Sequence, residues 1–383
     1  MAKLGEVCKV SASTKMIDKS KAWLLNLDMV EQQTGRVVEY NFVGEDGLNG
    51  SITQFDTENV LYSKLRPNLN KVVLPERDGF CTSELLPLRP DARKLDRSYL
   101  AVFLRSDGFV NWAVSKTAGA KMPRLGTKDL LNANIPLPEI KEQKAIAEKF
   151  KKSEELISLR KQQLVKMDEL VKARFFEMFG EISDNSMNWD CFTIGKLIST
   201  IESGWSGNGK QREKHADEIA VLKVSAVTKG YFIPTECKVL DDQHNIKKYV
   251  YPQKGDILFS RANTKEMVGA TVLIKKDYPD LILPDKLWKI RFCTDVNPIY
   301  MKHVLSTTTV RNAFSAASTG TSGSMYNVSM EKFKGVIIPV PPLSVQNQFA
   351  AFVERVDQQK QTVQQSLDKL ELMKKALMQE YFG

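Results

Sequence analysis

The stretch that decides the fold runs from IPLPEIKEQKAIAEKF at residues 135–150 to KARFFEMFG at 172–180. It recurs without a gap as IPVPPLSVQNQFAAFV at 338–353 and KALMQEYFG at 375–383. Between the opening prolines and the closing glycine, both copies lack Gly and Pro and are rich in Glu, Lys, Gln and Leu. This composition predicts α-helices of about 40 residues. Proline at a helix start and glycine at its end fit the prediction.

The duplication extends beyond the helices. Residues 59–64 (NVLYSK) match 256–261 (DILFSR), and residues 96–100 (DRSYL) match 297–301 (NPIYM). Shorter matches keep the same order along the chain, which indicates a tandem duplication of one unit, a globular domain followed by a helix. We expect the first domain at 1–135, the first helix at 136–180, the second domain at 181–338 and the second helix at 339–383.

Each globular domain shows short apolar runs separated by turn residues, a pattern typical of strands. Asp96 and Asn297 are expected to cap equivalent short helices at 97–105 and 298–307. Strands are predicted at 37–43, 255–260, 270–274 and 287–292, and at 133–135 and 336–338, just before each long helix. The predicted fold class is α+β, with two strand-rich domains and an internal pseudo-two-fold repeat.

Both long helices carry apolar residues at a seven-residue spacing. The first seam is Phe150, Ile157, Leu164, Val171 and Met178; the second is Phe349, Val356, Val363, Leu370 and Leu377, with Phe352, Val353, Leu367 and Met373 beside it. Such stripes bury against a partner helix. We expect the two helices to pack together as an antiparallel coiled coil about 60 Å long that fixes the separation of the domains. A coiled coil between two copies of the chain is the alternative. Arg160 and Lys360 interrupt the seams and are interpreted as residues that fix the register.

Composition narrows the function classes. Lys and Arg number 55 against 46 Asp and Glu, so the net charge is +9, which favours a polyanionic partner without proving one. The cysteines form no CxxC pair, which suits a reducing compartment and argues against disulfides or structural zinc. With no apolar leader and no run of 18 apolar residues, we expect a cytoplasmic protein without a membrane segment. The cysteines are Cys8, Cys81, Cys191, Cys237 and Cys293.

A search for catalytic motifs returns little. The histidines His215, His244 and His303 have no second ligand at metal spacing, and no phosphate-binding glycine motif is present. The tetrapeptide 297–300 (NPIY) imitates the [DN]PP[YF] site of adenine methyltransferases but lacks the second proline, and its duplicate at 96–99 (DRSY) has no proline at all. Pro279-Asp280 and Pro284-Asp285 are not followed by the acid-x-Lys of nucleases. We therefore expect no catalytic residue, no metal and no cofactor in this chain.

Basic and amide-rich loops follow equivalent strands in the two halves and precede the strand that leads into each helix. Arg, Lys, Asn and Gln read base edges, whereas Lys, Ser and Thr hold phosphates. Two similar scaffolds with different loops suit a protein that recognises two different short sequences. Arg66 and Arg261 are expected to read bases, and Lys116, Lys121, Lys210 and Arg212 to contact phosphates. The candidates are Lys64, Arg66, Asn68, Lys71, Lys116, Lys121 and Arg124 in the first half, and Trp205, Ser206, Asn208, Lys210, Arg212, Arg261, Asn263, Lys265, Ser322, Ser324 and Tyr326 in the second.

The order of a domain, a helix opening IPxPxxxxQ and ending FG, a second domain and a similar helix resembles the specificity subunit of type I restriction–modification systems. The segments 255–261 and 204–232 also resemble the target-recognition domains of that family. The resemblance covers essentially the whole chain. It implies two target-recognition domains that each read half of a bipartite, asymmetric DNA site, with the helices setting the non-specific spacer. One departure is that the first half has no clear counterpart of 203–212.

The resemblance also implies partners. A specificity subunit is non-catalytic and docks two modification subunits, which use S-adenosylmethionine to methylate adenine, and through them restriction subunits, which translocate double-stranded DNA with ATP and Mg. Three alternatives remain open at this point. They are the recognition subunit of a related system that cuts on both sides of its site, a scaffold that does not bind DNA, and a degenerate methyltransferase resting on residues 297–300.

Overall fold

The computed structural model describes residues 1–18, 22–44, 46–48, 50–119, 121–215, 218–320 and 326–383. The chain forms two compact units: unit 1 is Met1–Gln163 with Val363–Gly383, and unit 2 is Leu164–Thr362. Each unit therefore holds one globular domain, part of the first long helix and part of the second.

Unit 1 begins with a strand-rich domain. Its strands are β1 (Ala2–Lys3), β2 (Cys8–Val10), β3 (Trp23–Leu25), β4 (Asn41–Phe42), β5 (Ile52–Phe55), β6 (Val60–Ser63), β7 (Val72–Val73), β8 (Gly79–Thr82), β9 (Leu85–Pro90) and β10 (Asn134–Ile135). Its helices are α1 (Leu4–Val7), α2 (Arg97–Leu104), α3 (Asp107–Ser115), α4 (Thr127–Leu131) and the long α5 (Ile140–Phe179), which continues into unit 2; 3₁₀ turns lie at Leu27–Met29 and Pro67–Leu69.

Unit 2 repeats this plan. Its strands are β11 (Cys191–Thr193), β12 (Ile198–Ser203), β13 (Gly209–Lys210), β14 (Ala220–Leu222), β15 (Cys237–Leu240), β16 (Ile257–Ser260), β17 (Ala262–Asn263), β18 (Thr271–Leu273), β19 (Leu281–Ile282), β20 (Leu287–Phe292), β21 (Thr319–Gly320), β22 (Tyr326–Asn327) and β23 (Ile337–Pro339). Its helices are α6 (Ile194–Leu197), α7 (Pro298–Ser306), α8 (Thr308–Ala317), α9 (Met330–Gly335) and the long α10 (Leu343–Phe382), which continues into unit 1; a 3₁₀ turn lies at Val224–Ala226.

The first sheet corresponds strand for strand between the two units, whereas the second sheet shares three strands and differs in the fourth, β5 in unit 1 and β13 in unit 2. An antiparallel sheet in the order β2-β9-β6-β7 in unit 1 matches β12-β20-β16-β18 in unit 2. The second sheet is β4-β3-β8-β5 in unit 1 and β13-β15-β14-β19 in unit 2, each with one parallel pair, β3–β8 or β14–β19. The central strands β6 and β16 are buried at every residue, because helices cover one face and the second sheet the other. This explains why VLYS and ILFS read as continuous apolar runs.

Most predicted elements are confirmed. The strand at 287–292 matches β20, and the side chains of Asp96 and Asn297 accept from Tyr99 N and Ile299 N as helix caps. The strand expected at 37–43 is wrong for most of its length, because only β4 forms, and it pairs on one side with β3 alone. In the part of the chain that is described, no helix is long and apolar enough to cross a membrane.

In each unit, segments of the two long helices run antiparallel. Lys374 pairs with Glu154 and Lys161 with Glu371 in unit 1, so residue numbers fall along one helix as they rise along the other. In unit 2, Lys360 pairs with Asp168 at 2.6 Å across the seam, as expected of a residue that fixes register.

Two seam predictions fail. Arg160 bonds to Gln163 on its own helix rather than across the seam. Met373 is 48% exposed, because Lys374, one residue further on, faces the partner helix and pairs with Glu154. The two sites show that a seven-residue spacing locates the seam but does not decide every position beside it.

The FG ending of each helix closes a hydrophobic core. Phe382 packs on Tyr99 at 5.3 Å and on Phe150 at 6.2 Å in unit 1. Phe179 packs on Tyr300 at 4.8 Å and on Phe349 at 5.4 Å in unit 2. The end of one long helix thus meets the start of the other in both cores.

Candidate nucleic-acid interface

The predicted basic loops of the first half come together at the end of β6. Lys64 N donates to Glu84 O at 3.0 Å, Arg66 N donates to Pro123 O at 2.8 Å, and Leu125 N donates to Lys64 O at 2.9 Å. Three segments distant in sequence therefore form one surface, which we call loop surface 1 (residues 64–71, 84, 116–119 and 121–124).

The same hydrogen bonds recur in the second half. Arg261 N donates to Lys286 O at 3.1 Å, and Val328 N donates to Arg261 O at 2.9 Å. Strand β17 pairs with β22, so that Ala262 lies opposite Asn327. These bonds define loop surface 2 (residues 203–212, 261–265, 283–286 and 326–327). They also establish structural equivalences: Lys64 with Arg261, Glu84 with Lys286, and Arg124 with Asn327.

The two surfaces differ in charge at these equivalent positions. In loop surface 1, Arg124 donates to both carboxylate oxygens of Glu84 at 3.0–3.3 Å, and this hydrogen bonding raises the Arg124 pKa. Loop surface 2 has Asn327 and Lys286 there, so this ion pair is absent between them. The hydrogen bonds to Glu84 fix the Arg124 guanidinium and occupy part of its donor capacity, whereas Lys286 makes no ion pair with any described residue.

Arg261 is held by one edge of its guanidinium. Its Nε donates to the main-chain oxygen of Asp285 at 2.9 Å. Among the described residues, neither terminal nitrogen of Arg261 has a partner. The side chain is half-buried and directly follows β16, and its two terminal nitrogens are left as donors, which a bidentate contact to guanine requires.

Sequence reasoning missed Asp285, which organises this surface. Ser206 donates its hydroxyl to the Asp285 carboxylate, and Ser203 Oγ donates to Asp285 O at 3.2 Å. Lys248, also missed, donates to Ser203 O. The sequence presented Pro284-Asp285 only as an incomplete nuclease motif; its contact with residue 206 is not encoded in any spacing.

Several other candidates are engaged within the chain. Arg212 pairs with Glu218, and that hydrogen bond lowers the Glu218 pKa to about 2. Lys71 donates to Leu27 O, and burial lowers its pKa. Trp205 packs on the apolar cluster that includes Leu240 and Ile282.

Arg66 is exposed, and its guanidinium donates to Lys121 O at 3.5 Å. The other candidates fall into three groups. Lys116, Lys121, Lys210 and Lys265 are exposed, and within the described ranges their ammonium groups have no partner. Asn68 and Asn208 are exposed; Lys64 and Tyr326 are half-buried, as is Asn263, whose side-chain oxygen accepts from Thr264 N. Ser322 and Ser324 lie outside the described residues.

A duplicated polar network supports the start of each central strand. Asp56 accepts from Arg89 in unit 1, where Asn59 Oδ1 accepts from Asp56 N at 3.0 Å. In unit 2, Asp256 accepts from Arg291, and also from Gln253 N at 2.7 Å. Acid and amide have exchanged places between the copies, while the arginine partner is kept.

The repeated glutamine of the IPxPxxxxQ motif joins each domain to its helix. Gln143 accepts from Asp96 N at 2.8 Å and Gln346 from Asn297 N at 2.8 Å, and both side chains are fully buried. Tyr99 and Tyr300 donate to the carbonyls of Pro136 and Pro339.

Residues 297–300 are therefore a helix cap and a joint. Burial raises the pKa of Tyr300 and lowers that of His303 to about 3, so neither is poised for proton transfer near neutral pH. Over the described residues, no group of His, Cys, Asp and Glu could hold a metal ion.

Comparison with known proteins agrees with this duplicated layout. The family described as type I restriction modification DNA specificity domain matches residues 1–168 and 188–372. The type I restriction enzyme EcoKI specificity subunit of Escherichia coli K12 is 27% identical over 286 residues, which is 71% of this chain and 60% of that protein. The EcoDI specificity subunit of Escherichia coli is 31% identical over 117 residues, 30% of this chain and 26% of that protein. The chain thus spans at most about three fifths of the length of these relatives.

Two solved structures share the fold. One is the type I restriction–modification S subunit of M. genitalium, with a TM-score of 0.59 and 12% identity, covering 100% of this chain and 95% of that one. The other comes from work on complex assembly and conformational transition of the type I R-M system, with a TM-score of 0.59 and 19% identity, covering 100% and 96%.

Proposed function

We propose, since the chain belongs to the type I restriction modification DNA specificity family, that it recognises a bipartite, asymmetric site on double-stranded DNA. Each unit reads one half of the site through its loop surface. The observation that carries this proposal is that one set of backbone bonds, Lys64 N to Glu84 O and Arg261 N to Lys286 O, presents different side chains in the two copies. A net charge of +9 suits a polyanion.

The chemistry belongs to partner subunits. In this proposal the chain directs two modification subunits, which methylate adenine with S-adenosylmethionine, and through them restriction subunits that use ATP and Mg. The relatives named above are specificity subunits of restriction enzymes, and this supports the division of labour. The buried Tyr300 and the half-buried His303 are consistent with it, because both serve packing and the joint between domain and helix.

The test is DNA binding by the chain assembled with its modification subunits. Mapping of methylated adenines in the host genome supplies the cognate site. Binding to that duplex should exceed binding to a scrambled duplex, and both affinities should fall steeply with salt, since lysines and arginines displace counterions from phosphates. Equal, salt-independent binding to both duplexes would exclude DNA recognition and favour a coiled-coil scaffold.

We further propose that the long helices set the spacer between the half-sites. Inserting seven residues directly after Lys161 and seven directly before Glu371 keeps the pairing of these two residues and the heptad pattern. Each helix grows by about 10 Å, so the spacer of the methylated motif should lengthen by about three base pairs. Both half-site sequences should stay as they were. An unchanged spacer in an active complex contradicts the proposal; insertion in one helix only is the control and should prevent assembly.

A further inference from the structure

Asp285 is an acid on a surface rich in Lys and Arg, yet it takes part in no ion pair with any described residue. Its carboxylate accepts from the Ser206 hydroxyl, and its own N–H donates back to Ser206 Oγ at 3.3 Å. The equivalent surface of unit 1 also carries an acid, Glu84, but there Arg124 neutralises it. Asp285 is thus held in place by Ser206 and has no cationic partner among the described residues.

A fixed carboxylate on a DNA-facing surface is repelled by the phosphates. It is therefore favourable there only if the DNA offers it a hydrogen-bond donor. Of the base edges in the major groove, cytosine offers its N4 amino group, for which Asp and Glu are suited acceptors. Adenine also offers an amino group, but its N7 acceptor lies beside it and repels a carboxylate. A carboxylate has about four lone-pair sites, and Ser206 occupies one, so acceptor capacity remains.

Arg261 lies against the same residue. Its Nε is bound to Asp285 O at 2.9 Å, which directs the rest of the guanidinium away from that carbonyl. The fork of Arg261 suits guanine O6 and N7. Two chain segments joined by this hydrogen bond therefore present a donor pair and an acceptor on neighbouring residues of the surface.

We infer that Asp285 is a specificity-determining residue that accepts a hydrogen bond from cytosine N4 in the half-site read by unit 2, next to a guanine read by Arg261. Ser206 is its positioning residue. The inference rests on the proposed function and adds the bases to it.

The experiment is selection from a pool of duplexes randomised across both half-sites, using the assembled methyltransferase with wild-type, D285N, R261A and S206A chains. D285N should lower the preference for cytosine at one position of one half-site by about tenfold. R261A should do the same for guanine at a position within the same half-site. S206A leaves the Asp285 carboxylate in place, so the preference for cytosine should remain but become weaker.

The half-site read by unit 1 is the internal control for folding and assembly in every variant. A D285N motif identical to the wild-type motif overturns the inference and leaves the proposed function standing. An equal loss of base preference at every position of that half-site in both D285N and S206A also overturns the inference. It would show that Asp285 supports the structure of the surface and reads no base. If the wild-type chain selects no motif, the proposed function is wrong, and the inference is wrong with it.

Discussion

The two units of this chain keep the same framework and differ where the framework meets solvent. Gln143 and Gln346 are both fully buried and make the same bond to a helix cap. Beyond the end of the central strand, Glu84 with Arg124 in unit 1 is replaced by Lys286 with Asn327 in unit 2. The two copies have kept the contacts that stabilise the fold, and they differ in the side chains that face solvent and are free to contact a partner. Solvent-facing side chains carry little folding energy, so they can vary without loss of the fold.

The largest effect should come from exchanging a whole domain. Replacing residues 1–135 with the corresponding domain of another specificity subunit should change one half of the methylated motif completely and leave the other half unchanged. The donor should keep a tyrosine at the position of Tyr99, because Phe382 packs on it and its hydroxyl bonds Pro136 O. Sequencing of methylated DNA reads the result. A motif altered in both halves would show that recognition is shared between the units.

The buried polar network gives the next largest effect. Asp256 is fully buried and pairs with Arg291 and, at 3.4 Å, with Lys289. Asp256→Ala leaves Arg291 without an acid and Lys289 with Glu202 alone, at 3.9 Å, and should destabilise unit 2 by about 3 kcal/mol. Loss of hydrogen-exchange protection in β16, with β6 unaffected, measures it.

The matched control for Asp256→Ala introduces into unit 2 the side chains that unit 1 has at these positions. The double substitution Gln253→Asp with Asp256→Asn reproduces the Asp56–Asn59 arrangement and should recover most of the protection. If the double variant is as unstable as Asp256→Ala, the two networks are not interchangeable and the framework has diverged.

A smaller difference should appear with pH. His303 packs on Phe349 at 5.1 Å, and burial, with the nearby charge of Lys302, lowers its pKa to about 3; the first half has Val102 at the equivalent position. The folded state therefore binds fewer protons than the unfolded state below about pH 6.5. Unit 2 should lose about 2 kcal/mol between pH 7 and pH 5 from this residue.

Substitution His303→Val, which copies the first half, tests this directly. It should flatten the pH dependence of hydrogen exchange in unit 2, whereas His244→Val, at an exposed histidine, should leave it unchanged. Equal pH dependence in wild type and His303→Val would show that His303 is not the source.

The smallest effect concerns phosphate contacts. Lys210 is exposed and, among the described residues, its ammonium has no partner, so Lys210→Ala should lower the slope of log affinity against log salt by about one unit. Affinity for cognate and scrambled duplexes should fall alike. Arg212→Ala is the control, because Arg212 already pairs with Glu218 and should contribute less to the slope. A larger change for Arg212 than for Lys210 would reverse the assignment.

The sequence by itself determined the duplication, both long helices, the caps Asp96 and Asn297, and the loops that gather on each surface. These features follow from the type, spacing and order of the residues, because helix propensity and apolar periodicity can be read directly from the sequence. Even the buried β6 and β16 could be recognised, since a strand covered on both faces is apolar throughout.

Only the tertiary structure decided how these parts are used. It showed that Phe179 and Phe382, each at the end of one long helix, pack in a core against the start of the other long helix. It engaged Arg124 with Glu84, and it brought Ser206, Arg261 and Asp285 together. Each of these depends on contacts between residues far apart in the chain. A hydrogen bond needs its partner within about 3 Å and in the right direction, and no spacing along the sequence specifies that.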